Sequence, residues 1–209
     1  MDKNNLRKIL PTYLYGGIHE VVNTNFDNFS MAWLVLEMII LTPVRSQEER
    51  NCIHYSAWTA VEILLGQTVE STSSFAIASK RLEKAYMTIY EYWNKEQTLR
   101  DIGNLNIRRE IFKLESIGYK DQIYLVKKAL ISGSVVILGL AVSVIDIDSG
   151  KHIKRHSIAC MGYIIVSGEE YFVLRDTQNS LILGYKNKGI LLLPVKGIKI
   201  EEIVLIYKK

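Results

Sequence analysis

The chain has 209 residues, of which 23% are charged and 48% apolar, with three prolines; that is the profile of one globular domain with a substantial core, and it excludes a disordered chain. The net charge of +4 is scattered among acids, too small and diffuse to mark a nucleic-acid face. Two cysteines, Cys52 and Cys160, exclude a disulfide framework beyond a single bridge and a closely spaced zinc site, and they suit a reducing compartment.

The start, MDKNNLRKILPTYLYGG, lacks the apolar run of a signal peptide, and residues 1–31 read as an N-terminal arm packed across the body. Residues 32–41 are nearly all apolar and predict a buried strand or short helix. The longer run MAWLVLEMIILTPV is interrupted by Glu37 and too short to span a bilayer. A cytoplasmic chain with no membrane and no nucleic-acid partner is expected, as one domain over 1–209.

From Asn51 the pattern becomes helical: Ile53, Ala57, Ala60, Val61 and Leu64 recur at helical spacing, Asn51 or the preceding turn can cap, and Gly66 can end the helix. Cys52 then sits in its first turn. A second helix is predicted over 76–93, with Ile77, Leu82, Ala85, Ile89 and Tyr92 on one side. Tyr86, Tyr90 and Trp93 form a stripe explained by packing. A third is predicted over 121–132, with Ile123, Val126, Leu130 and Ile131 mostly at spacings of three and four and Gly133 as its stop.

After Gly133 the character reverses. SVVILGLAVSVI, HSIACMGYIIVSG, EEYFVLRDTQ, GILLLPV and EEIVLIYKK are short, apolar and rich in β-branched residues, separated by turns such as SGEE and NKG. Helices first and an antiparallel sheet afterwards make an α+β fold, mostly helical over 32–120 and mostly β with one helix over 121–209. A cleft is expected where the two parts meet, with Cys52 on one side of it.

A free cysteine is often a small core residue, the reading that fits Cys160 in its apolar strand. At a helix N-terminus, however, unpaired N–H groups and the macrodipole stabilise a thiolate, and a nearby imidazolium can hold the proton. Of the four histidines, His19 lies in the arm, His54 points to another side of the helix from Cys52 and reads equally as surface decoration or as a group tuning the thiol, and His152 lies in a polar turn. His156 opens an apolar strand and is the one best placed to be both fixed and exposed. Asp176 follows the next strand, YFVLR, and can orient the imidazole. Gln47, in the turn before the helix, can donate to an oxyanion beside the Cys52 N–H.

Four ordered blocks carry a family resemblance. LTPVRSQEERNCIHYSAWTAVEILLG closely resembles the lead-in to the catalytic helix of papain-like cysteine peptidases. ESIGYKDQIYLVKKALISGSVVILGLAV is similar to the segment feeding the sheet, RHSIACMGY to the histidine strand, and YFVLRDTQNS to the strand bearing the third catalytic residue. The resemblance covers roughly residues 32–207. It implies a two-lobe fold, a helical left lobe and an antiparallel β-rich right lobe, with no cofactor and no metal.

The resemblance also implies the roles: Cys52 as nucleophile, His156 as general base and then acid, Asp176 in place of the usual asparagine, and Gln47 as oxyanion donor. It implies a cysteine-type endopeptidase acting on a protein or peptide substrate, or, as the alternative, a weakened or inactive member used as a binding or regulatory module. The departures are a Gln47-to-Cys52 turn one residue shorter than usual, Ile53 for tryptophan, and Gln178 where a tryptophan shields the histidine, which implies a wetter pair. Glu62 is expected to face the interior as a structural residue.

Overall fold

The computed structural model describes residues 52–69, 88–145, 152–166, 168–175, 185–187 and 190–209. Its centre is helix α1, Cys52–Leu65. Residues 53–62 of α1 are all buried, the signature of a helix packed on more than one side rather than lying on a surface. Gly66, at φ 69°, ends it: its N–H donates to the Glu62 carbonyl at 2.9 Å, a left-handed cap that only glycine adopts at no steric cost.

Two short helices follow, α2 (Ile89–Asn94) and α3 (Glu96–Asn104). Thr88 and Glu91 make a reciprocal capping box at the start of α2. The helix predicted over 76–93 is present in its described part and breaks at Lys95, the residue that closes α2 and opens α3. Of the aromatic stripe, Trp93 is fully buried while Tyr90 is 40% exposed.

Strand β1, Ile107–Lys113, stands inside the region that helical spacing assigns mostly to helix. The reason is partner-dependent: Ile111 packs against the α1-side core and Phe112 against the opposite one, and the whole segment pairs with a strand nearly a hundred residues away.

Helix α4, Tyr119–Ile131, closes with a Schellman motif: Ser134 N–H donates to the Ala129 carbonyl and Gly133 N–H to that of Leu130, both at 3.0 Å. Six more strands follow: β2 (Val135–Ile145), β3 (His152–Val166), β4 (Glu169–Arg175), β5 (Tyr185–Asn187), β6 (Ile190–Pro194) and β7 (Ile200–Lys208). They form one antiparallel sheet in the order β1-β7-β2-β3-β4-β6-β5. His152, expected in a polar turn, is the first residue of β3, because β2 extends far enough to pair with it through Ile145.

The sheet is covered on both faces, and alternation sorts its side chains. Val135, Ile137, Ala159, Val204 and Ile206 join α1, α2 and α3 in one core. Val136, Leu138, Ile158, Cys160, Ile203 and Leu205 join α4 in the other. The molecule is therefore α+β, with mixed helices and an open antiparallel sheet. Among the described residues no helix is long and apolar enough to cross a membrane.

Candidate functional site: Cys52 and His156

Cys52 is the first residue of α1 and keeps part of its surface open, while α1 packs across β3, β2 and β7. Among the described residues the β3–β4 ladder ends at Ala159 opposite Arg175. Close to that point Ser157 of β3 meets the start of α1, its side chain against Ser56 and its backbone N–H against Cys52.

The thiol of Cys52 collects donors there. Burial pushes its pKa up, but the hydrogen bond and the positive charge of His156, then the N–H groups of Ser157 and Ile53, pull it down, and the pull wins: the thiol lies below its ordinary value. The Ile53 N–H is one of the orphan donors of the helix start, aligned with the macrodipole. Hydrogen bonding to the charged form and an adjacent cation are the two influences that favour a thiolate over a thiol.

His156 is 2% exposed, buried where an exposed base is expected, and drier than Gln178 in place of a shielding tryptophan implies. The packing of α1 over β3 contributes to this burial. Ser157, the next residue, is fixed twice: its N–H reaches the Cys52 sulfur, and its Oγ lies 2.6 Å from Ser56 Oγ. Ser56 also donates to the Ile53 carbonyl at 3.1 Å.

Deeper along α1, Glu62 is fully buried and accepts the Val69 N–H at 2.9 Å. Its carboxylate acts on the guanidinium of Arg175, whose pKa burial lowers and Glu62 partly restores. Arg175 is 3% exposed and ends β4. The expected interior position of Glu62 is thus the observed one, and it couples the cysteine helix to the strand that precedes Asp176.

His54, which reads equally as surface decoration, is buried at 5% exposure, its ring edge-on to Tyr92 at 5.0 Å between centroids. The cause is that α2 covers this side of α1 as well. Ile53, in the place of a tryptophan, is a core residue at 8% exposure. Cys160 is fully buried, and burial pushes its thiol up to about 12.

The structure brings Cys52 and His156 together. Gln47, Asp176, Gln178, His19, the capping position Asn51 and the N-terminal arm lie outside the described residues. Among the described residues no group of three His, Cys, Asp or Glu side chains is placed to hold a metal ion. Sequence reasoning missed Ser56 and Ser157. The signal was present: a small polar residue one helical turn after the cysteine, and another directly after the histidine. Comparison with protein-family models and with curated proteins gives no match.

Proposed function

We propose that the protein is a cysteine-type peptidase of papain-like, two-lobe architecture that hydrolyses peptide bonds in a protein or peptide substrate in the cytoplasm. The observation that carries this reading is a helix-start thiol held below its ordinary pKa by a buried histidine on the adjoining strand. A thiolate paired with an imidazolium is the activated form of a cysteine nucleophile near neutral pH.

In this mechanism the Cys52 thiolate attacks the carbonyl carbon of the scissile amide, forming a carbon–sulfur bond as the carbonyl oxygen becomes an oxyanion. The Cys52 N–H and the Gln47 amide donate to that oxygen. His156 gives its proton to the leaving nitrogen, the carbon–nitrogen bond breaks, and the amine departs from a thioester. His156 then takes a proton from water, whose oxygen attacks the thioester carbonyl; the acid leaves and Cys52 is regenerated as a thiolate. Asp176 accepts the other imidazole N–H and holds the ring in register.

The test is labelling by an epoxysuccinyl peptide, followed by a fluorogenic peptide library. Covalent modification mapped to Cys52, lost in His156→Ala and accompanied by cleavage of at least one library member, supports the assignment. A Cys52 that reacts at the rate of a free thiol at every pH, with no cleavage, overturns it and leaves a binding or regulatory module on the same scaffold.

A further inference from the structure

We propose that Ser56 and Ser157 are positioning residues, forming a buried hydroxyl strut that sets the distance between the Cys52 sulfur and its two β3 donors; this rests on the reading of Cys52 as a nucleophile. Cys52 and Ser56 are one turn apart on the same side of α1. His156 and Ser157 are consecutive in β3. The hydroxyl contact at 2.6 Å therefore runs beside the Cys52–His156 contact, linking the same two elements through the neighbouring side chains.

Counting protons gives the strut a direction. Each serine hydroxyl has one hydrogen. Both contacts are made at once when Ser56 donates to the Ile53 carbonyl and Ser157 donates to Ser56, and this is the direction we assign. Ser157 thus grips the first turn of α1 with two donors, its hydroxyl on Ser56 and its backbone N–H on the Cys52 sulfur. Exposures of 1% for Ser56 and 3% for Ser157 place both hydroxyls away from bulk solvent.

Such a pair adds little net stability over two apolar residues of similar shape, because folding trades water hydrogen bonds for internal ones. Its effect is on geometry. A thiolate stabilised by hydrogen bonds is sensitive to displacements well below an ångström, as is any reaction that depends on placed groups.

The direction makes the two alanine variants unequal. Ser56→Ala strands a buried donor on Ser157, whereas Ser157→Ala removes that donor and leaves Ser56 still bonded to Ile53. The experiment measures iodoacetamide alkylation of Cys52 against pH, site-mapped by mass spectrometry, and thermal unfolding, in the full chain and in Ser56→Ala, Ser157→Ala, the double variant and His156→Ala.

Each single variant is expected to lower the alkylation rate at pH 6 by about 10-fold and to move the midpoint of the profile upward. Ser56→Ala should lose more thermal stability than Ser157→Ala. The double variant should regain most of that stability, since neither partner is stranded, and still react slowly. A double variant that regains the wild-type pH profile together with its stability overturns the positioning role. So do serine variants indistinguishable from wild type while His156→Ala abolishes the reactivity. A wild-type thiol that titrates like a free cysteine and ignores His156→Ala overturns the nucleophile reading, and the strut with it.

Discussion

Cys52 and Cys160 lie on elements that touch, yet the protein treats the two thiols in opposite ways. Cys160 sits in β3 four residues after His156 and faces α4, among Ile158, Leu138 and Phe172. Burial there pushes its thiol up to about 12. Cys52 also feels burial as the largest influence, but His156, Ser157 and Ile53 donate to it and reverse the sign. Burial by itself silences a cysteine, and burial with placed donors activates one.

The two sides of the sheet differ in the same sense. On the α4 side Leu138, Ile158, Phe172 and Leu205 gather in one apolar cluster. The α1 side carries His54, Ser56, Thr59, Glu62 and Ser157 in its interior. Of these, Ser56, Ser157 and Glu62 have hydrogen-bond partners in fixed places, which ties their elements to one arrangement.

The largest expected effect removes the donor that separates the two cysteines. His156→Ala should slow Cys52 alkylation at pH 6 by about 1000-fold, read by mass spectrometry against an unchanged Cys160. The sign follows from the causes: in wild type the rate should rise with pH through a midpoint below that of an ordinary thiol. In the variant burial remains without the imidazolium, so the midpoint should move to the ordinary value or past it. Equal profiles for the two proteins would erase the contrast.

Next in size is Glu62→Gln, which keeps an acceptor for the Val69 N–H and deletes the charge facing Arg175. Removing this buried negative charge from beside the guanidinium should cost about 3 kcal/mol in urea unfolding; a loss under a few tenths would show that Glu62 does not act on Arg175.

Gly139→Ala probes the packing of the α1 side directly. A Cβ at this position would meet Ile89 Cδ1 at 3.0 Å, Glu202 Cβ at 3.1 Å and Glu202 Oε2 at 3.3 Å, while the Glu202 carboxylate accepts the Ile89 N–H at 3.2 Å at the start of α2. A destabilisation of about 1 to 2 kcal/mol in urea unfolding is expected. Cys160→Ala is the mildest change: about 1 kcal/mol from a small void and no change in the Cys52 pH profile. A shifted profile would mean that the two layers are not independent.

Much of this was legible in the sequence for identifiable reasons. Helix α1 announced itself through apolar spacing and Gly66, α4 through Gly133, and β2, β3, β4 and β7 through short β-branched runs between turns. Each is a local signal. Strand β1 was hidden because Ile107–Lys113 has no strand character until β7 supplies a partner. The burial of His54 was hidden because it depends on which element covers the second side of α1.

At the site, the nearness of Cys52 and His156 was foreseen from family likeness, whereas the serine strut depends on the register that puts Ser157 against Ser56 and not one residue away. Strand register is a tertiary property, and a slip of one residue would turn Ser157 to the other face.

The order of the strands carries a consequence for how the chain acquires its chemistry. β2, β3 and β4 can zip together as neighbours in sequence, but β7 must insert between β1 and β2, a non-local closure of the slow kind. Helix α1 rests on β7 as well as on β2 and β3, so its seat is incomplete until that insertion. Until that seat is complete the thiol is expected to react as an ordinary cysteine, without the low-pH reactivity that His156 and Ser157 confer. Refolding monitored by pulsed alkylation should show fast Cys52 labelling near pH 6 appearing with the last phase of sheet formation and not with the first.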